Sequence, residues 1–174
     1  MTDDATEKPE RPTREQLLAT LPADRLYAPE MDMWVRLEEG GLARLGATHV
    51  VAAHGQFMYF TPRPPGTDFD RDRSIGVMET AKTAVAIHAP ISGRVAAVNE
   101  AVAGDVDPVT HDPYGAGWMF LVEPSRLEEE RPLLLEAAAY ADWLAPRLEE
   151  KSAEVPFDPA EFEQDLTPDP NQGY

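Results

Sequence analysis

Of the 15 basic residues in this chain only Lys8, Lys82 and Lys151 are lysines, and two of these lie near the ends. The distinction matters chemically, because a lysine amine can shed its proton at accessible cost and accept an acyl group, whereas a guanidinium stays charged. A lysine in water has a pKa of about 10.4, so roughly one amine in a few thousand is neutral at pH 7 and a dedicated enzyme must supply the deprotonation. Lys82 is thus the candidate for covalent modification, a substrate before it is a tool. Codon usage biased toward arginine would produce the same scarcity, so the case rests on where Lys82 sits.

Other chemistries find less support. His49, His54, His88 and His111 are the only histidines and lack ligand spacing, so surface or hydrogen-bonding roles are expected of them. The chain has no cysteine, which removes disulfides, thiol nucleophiles and cysteine-based metal sites. There is no G-x-S-x-G elbow and no phosphate-binding glycine loop, and Gly115-Ala116-Gly117 reads as a turn before a strand. Trp34, Trp118, Phe57, Phe60 and Phe120 read as core aromatics, with a ligand pocket the lesser reading.

The elements that must position Lys82 are short and extended. Strands are predicted at Trp34–Leu37, Leu42–Leu45, Gln56–Thr61, Ser74–Glu79, Ala84–Ala89, Gly93–Val98 and Trp118–Glu123, broken by glycine and proline in the manner of a small all-β sandwich. This pattern puts Thr80-Ala81-Lys82-Thr83 at the tip of a hairpin, where a side chain projects into water. Glu39-Gly40-Gly41 reads as a glycine-rich hairpin turn, and residues 48–53 as one helical turn. A capping box at Thr13-Arg14-Glu15-Gln16 opens a helix carrying Leu17, Leu18 and Leu21 that Pro22 ends. A second at Ser125-Arg126-Leu127-Glu128 opens a carboxy-terminal helix with Leu134, Ala138, Ala141, Leu144 and Leu148 on one face and a kink or end near Pro146.

Length and charge bound the rest. A chain of 174 residues supports one modest core. We expect a disordered amino terminus over 1–12, one domain over 13–150, and an acidic, disordered tail over 151–174 in which Asp158, Pro159 and the Phe157–Phe162 pair carry a local helix signal. The formal charge is -17, with about -2 in the first 15 residues and about -6 after residue 151. Such a polyanion gains repulsion from nucleic acid or anionic lipid, so neither is an expected partner, and proteins with basic surfaces are. The amino end is charged rather than apolar and no run approaches about 20 apolar residues, which predicts a soluble, cytoplasmic protein; a monomer is expected.

Gly76-Val77-Met78-Glu79-Thr80-Ala81-Lys82, followed by Ala89-Pro90-Ile91-Ser92-Gly93-Arg94-Val95 and Asn99-Glu100, resembles the lipoyl attachment region of the glycine cleavage system H protein family. Tyr27, Trp34-Val35-Arg36, Gly46-Ala47-Thr48, Asp112-Pro113-Tyr114-Gly115-Ala116-Gly117-Trp118 and the helix around Tyr140 fall in the family's order, so the resemblance covers about residues 26–145. It implies a mainly β fold, a flattened β-barrel or sandwich of the biotinyl/lipoyl-carrier type with flanking amino- and carboxy-terminal helices. It also implies a non-catalytic carrier with lipoate covalently bound to Lys82, and Glu79 as a residue read by the lipoate ligase or lipoyl transferase. Aminomethyltransferase, glycine decarboxylase and dihydrolipoyl dehydrogenase are the partners it implies.

This sequence departs from the family pattern in places. Asp32-Met33 stands where a histidine–glutamate pair is common, His49 where an aspartate is common, Asp72 where a glycine is common, and Thr110-His111 where an asparagine–glutamate pair is common. These departures leave other readings open. One is a lipoate-binding protein working with heterodisulfide-reductase-like enzymes of sulfur oxidation. Another is an unmodified acidic interaction module. A biotin carrier fits less well, because that family flanks its lysine with methionines and Lys82 lies between Ala81 and Thr83.

Overall fold

Strands alternating apolar and polar residues need a partner face to bury, and here they find two. The computed structural model describes residues 13–52 and 56–151. Along the chain run α1 (Arg14–Thr20), β1 (Leu26–Ala28), β2 (Met33–Leu37), β3 (Ala43–Ala47), α2 (His49–Ala52), β4 (Phe57–Pro62), β5 (Asp68–Phe69), β6 (Ser74–Thr80), β7 (Ala84–His88) and β8 (Gly93–Val98). They are followed by α3 (Glu100–Gly104), α4 (Asp107–His111), β9 (Phe120–Pro124), α5 (Leu127–Glu130), β10 (Leu135–Glu136) and α6 (Ala137–Lys151). A seven-stranded sheet has the order β10-β1-β2-β3-β9-β8-β5, and a three-stranded sheet the order β4-β6-β7. Paired strands run antiparallel throughout.

The two sheets face one another as a sandwich, as the sequence led us to expect. Phe60, Met78 and Ile87 of the small sheet pack with Val35, Leu45, Phe120 and Val122 of the large one. Phe60 meets Phe120 edge to face, with centroids 5.6 Å apart. The period-two alternation of β2 sends Met33 and Val35 into this core and Trp34 to the opposite face. There Trp34 and Tyr27 join a second core with Leu17 and Leu21 from the amino-terminal segment and Tyr140, Ala141 and Leu144 of α6. The large sheet is thus buried on both sides, which is why the flanking helices exist.

Both cores depend on close approaches. Gly46 lies directly against the Trp34 indole, where a Cβ would fall inside van der Waals contact with ring carbon Cζ2. Trp34 Nε1 donates to the Pro113 carbonyl at 3.1 Å, so the buried indole leaves no orphan donor. Tyr27 and Tyr140 stack 4.8 Å apart, docking α6 on the sheet.

Several expectations are met in detail. The Thr13 hydroxyl accepts from Gln16 N at 3.2 Å while Thr13 N donates to Gln16 Oε1 at 2.7 Å, completing the capping box of α1. Gly40 and Gly41 take φ of 76° and 80°, as the turn between β2 and β3 requires. Corrections are needed toward the carboxy end. Ser125 opens no capping box: α5 starts at Leu127 after Arg126, which makes no side-chain cap bond, while Ser125 N donates to the Ser92 carbonyl at 3.0 Å. The expected single helix is broken because Pro132 has no N–H to continue the ladder, and Leu135–Glu136 pair instead with the edge of β1. Leu134 therefore precedes the final helix, which runs on past Pro146 to Lys151. Strands β1, β5 and β10 and helices α3 and α4 are unexpected from the sequence, being too short for a periodic signal.

Residues 1–12 and the acidic segment with Asp158, Pro159, Phe157 and Phe162 lie outside the described residues. Among the described residues no helix is long and apolar enough to cross a membrane.

Replacing Gly46 with Ala forces the new methyl into Trp34. Overpacking of this kind costs about 1–3 kcal/mol, and calorimetry of Gly46→Ala is expected to register a melting point lower by several degrees. An unchanged melting point would mean that the indole is free to move.

Candidate functional site

The hairpin built by β6 and β7 is closed by a turn with its own internal bonding. Glu79 pairs with Ala84, and Thr80 N donates to the Thr83 carbonyl at 2.8 Å. The Thr80 hydroxyl accepts from Lys82 N at 3.3 Å and Thr83 N at 3.1 Å and can donate to the Thr83 carbonyl at 3.2 Å. A short hydroxyl side chain thus satisfies the turn's backbone donors. Lys82 is exposed at the apex, and among the described residues no carboxylate pairs with its amine. Such an amine suits an amide-linked prosthetic arm, because acylation removes a charge that no described carboxylate pairs with.

Glu79 is exposed on the outer face of the hairpin, one strand position before the turn. The inner neighbour Met78 is buried in the inter-sheet core. Alternation therefore pins the hairpin to the body through Met78 and Ile87 while leaving Glu79 to solvent.

Beside the hairpin lies a cleft of about 630 Å³. Ala84 to His88 of β7 form one wall, and the Glu30–Met33 segment, Val51, Phe57, Arg71 and Asp72 form the rest. Its acids, Glu30, Asp32 and Asp72, stand around apolar side chains. Asp72 sits at φ 67°, the left-handed region where glycine is at ease and aspartate is tolerated. The glycine common in the family at this position thus has a backbone reason. His88 Nδ1 lies 3.0 Å from the Asp72 carbonyl oxygen and 3.5 Å from its Oδ1, tying the end of β7 to this turn.

A buried polar cluster backs the cleft. The Tyr140 hydroxyl donates to Asp32 Oδ1 at 3.2 Å and stands 3.5 Å from the Thr48 hydroxyl. His49 Nδ1 is 2.8 Å from the Tyr114 hydroxyl, which also accepts from His49 N at 3.3 Å. Burial pushes the Tyr114 phenol up to about 12 and the Tyr140 phenol further in the same direction, so both stay protonated. Burial lowers the His49 pKa from its usual 6.5, against an opposing pull from Asp32.

Of the residues at which this sequence departs from the family pattern, Asp32, Met33 and Asp72 meet in the cleft and His49 lies behind it. Thr110 and His111 lie apart on α4, where His111 Nδ1 bonds the Asp107 carbonyl at 3.0 Å. His54 and Lys8 lie outside the described residues. Trp34, Phe57, Phe60 and Phe120 are buried as expected, whereas Trp118 is half-buried with the Arg44 guanidinium over its ring at 4.9 Å. Thr80 as the turn's internal hydrogen-bond partner and Glu30 as an acidic rim residue are unexpected from the sequence. A threonine opening a four-residue hairpin turn was the available signal for the first.

A family model described as "Glycine cleavage H-protein" matches residues 25–147. The chain is 36% identical over 136 residues to "Glycine cleavage system H protein 5" of Aquifex aeolicus, covering 75% of this chain and 91% of that protein. It is 35% identical over 129 residues to the "Glycine cleavage system H protein" of Halorhodospira halophila, covering 74% of this chain and 98% of that one. The crystal structure of a glycine cleavage system H protein from Mycobacterium marinum superposes with a TM-score of 0.62 at 32% identity, covering 70% of this chain and 97% of that one.

His49 makes a checkable demand on pH. Its folded pKa lies below the unfolded 6.5, so the folded state binds fewer protons; its contribution is complete above pH 6.5 and is lost as the pH falls through the folded value. The urea midpoint is expected to drop between about pH 7.5 and pH 5, and His49→Gln to flatten part of that slope. A variant that kept the full wild-type slope would assign the acid sensitivity elsewhere.

Proposed function

The chain belongs to the glycine cleavage H-protein family, and from that premise we propose that Lys82 is its acyl acceptor and carries lipoate in amide linkage. The protein is a non-catalytic carrier of the H-protein type, which hands an intermediate from one enzyme to the next. Family members carry their lipoate on a lysine. One observation carries the finer assignment: Lys82 is an exposed amine, unpaired among the described residues, at the apex of a hairpin whose body is fixed in the core.

Loading forms an amide bond between Nζ and the acyl carbon as the bond from that carbon to its activating group breaks. The leaving group keeps the electron pair, and the amine's proton passes to a base or to water. A lipoate ligase or lipoyl transferase supplies the activated acyl donor and reads Glu79, three residues before the acceptor. Once attached, lipoate supplies a disulfide that partner enzymes can open, load and reoxidise. The chain's own residues do the positioning. Thr80 holds the turn that presents Nζ, Met78 and Ile87 fix the hairpin's inner face, and the cleft along β7 sets Glu30, Asp32 and Asp72 across from that strand's apolar side chains.

The partners that follow from this reading are aminomethyltransferase, glycine decarboxylase and dihydrolipoyl dehydrogenase, and the acidic chain favours basic docking surfaces on them. The relatives above are named for glycine cleavage, and no observation favours a sulfur-carrying or biotin-carrying role.

Protein produced in a lipoylation-competent host is expected to gain one lipoyl increment in intact mass, and Lys82→Arg to lose it. The variant is expected to keep its stability within about 0.5 kcal/mol, as exposed substitutions do. A Lys82→Arg protein that still gained the increment would refute the assignment.

A further inference from the structure

The chain is strongly acidic, yet the three-stranded sheet that carries the lysine is almost free of charge. Across Phe57–Pro62 and Ser74–His88, the only Asp, Glu, Lys or Arg residues are Glu79 and Lys82. Its outer face is also apolar around Tyr59 and Met58. Tyr59 pairs with Glu79, which pairs with Ala84, so these three form one cross-strand row facing solvent. Tyr59 is 62% exposed, and Met58, at a register irregularity next to it, is 51% exposed. Tyr59 and Met58 are adjacent, and they are the most exposed large hydrophobic side chains on this sheet.

We propose that Tyr59 and Met58, flanking Glu79, form the docking surface for the enzyme that acylates Lys82; the proposal rests on the carrier reading of that lysine. The geometry commits the occupant. Directly opposed strand residues have Cβ atoms about 5 Å apart, so Tyr59 and Glu79 are covered together by any protein that closes over the hairpin tip to reach Nζ. The chemistry commits its complement: an apolar recess for the Tyr59 ring beside one cationic side chain for Glu79. Tyr59 is the anchor, because a ring with two rotatable bonds orders at low entropic cost and removes much apolar area from water. Glu79 supplies register, since on this sheet it is the only carboxylate that a cation can find. In the covalent step Nζ loses a proton, an acyl adenylate loses AMP, and an amide remains. The docked face then holds Glu79 without the neighbouring Lys82 charge.

The test is the initial rate of acylation of the full-length apo protein by a purified lipoate ligase with lipoate and ATP, followed by intact mass. Tyr59→Ser is expected to raise the apparent KM for the carrier about tenfold with kcat little changed, while Tyr59→Phe stays near wild type. Glu79→Gln is expected to shift KM in the same direction. Leu133→Ser, an apolar position as exposed as Met58 in the other sheet's approach to β10, is expected to have no effect. Because Tyr59 is exposed, melting points should match, which separates docking from folding. Acylation of Tyr59→Ser with wild-type KM overturns the proposal, as does a loss confined to later transfer steps. Wild-type protein left unacylated at Lys82 overturns the carrier reading itself, and is seen before any Tyr59 variant is made.

Discussion

A carboxylate buried at the base of the β6–β7 hairpin holds together the segments by which the chain enters and leaves the small sheet. Glu130 is 7% exposed, and its two oxygens accept from Ser92 N at 2.6 Å and the Ser92 hydroxyl at 2.5 Å. Arg126 donates to the Ser92 hydroxyl at 2.9 Å and to Asp70 at 3.0 Å, and Arg71 N donates to the same hydroxyl at 2.8 Å. Ser92 lies where the chain leaves the small sheet for the large one, and residues 70–71 lie just before it enters. A buried carboxylate left without donors would be costly, so the native arrangement of these segments is strongly specified. The hairpin can then leave its tip in water and still keep its direction.

The same logic runs through the helical side. The large sheet sends Tyr27 and Trp34 away from the inter-sheet core, and aromatic surface of that size needs a cover. Helices α1 and α6 provide it, joined by an exposed ion pair between Arg14 and Asp142 and by apolar contact. The exposed ion pair adds little to stability, so the cover rests on Leu17, Leu21 and the Tyr27–Tyr140 stack. Tyr140 also reaches through to Asp32 at the cleft, which links the packing of α6 to the cleft's acidic wall.

Much of this was readable in the residues, and most of the parts that were not share a cause. Seven strands, the capping box of α1, the glycine turn before β3 and the hairpin around Lys82 all have local signals: alternation, caps and positive-φ residues. The break at Pro132 has a local cause, a proline inside the expected helix, whereas the pairing of Leu135–Glu136 with β1 involves residues more than a hundred positions apart, which periodicity cannot see. The Glu130–Ser92 contact is of the same kind, spanning 38 residues. For the candidate site, the hairpin tip that exposes Lys82 and Glu79 was legible because both lie in one short motif between two alternating strands. The cleft was not, because its walls come from five separate segments. Asp72 looked like a loss of glycine, and the backbone gives the reason: its φ of 67° suits glycine but admits aspartate.

Charge distribution joins these observations into an argument about traffic. A carrier serves several enzymes in turn, so its long-range field and its contact surface have different tasks. The field of a chain at -17 draws any partner with a basic surface, and it does so without regard to which one. Discrimination must come from short range, and the small sheet is where short-range contact is available: nearly uncharged, apolar on its outer face and ending in the exposed Lys82 turn. Salt reaches exposed charges first and packed apolar contact much less. Raising ionic strength should therefore slow encounter more than it weakens the docked complex, a division of labour that a uniformly acidic surface would not produce.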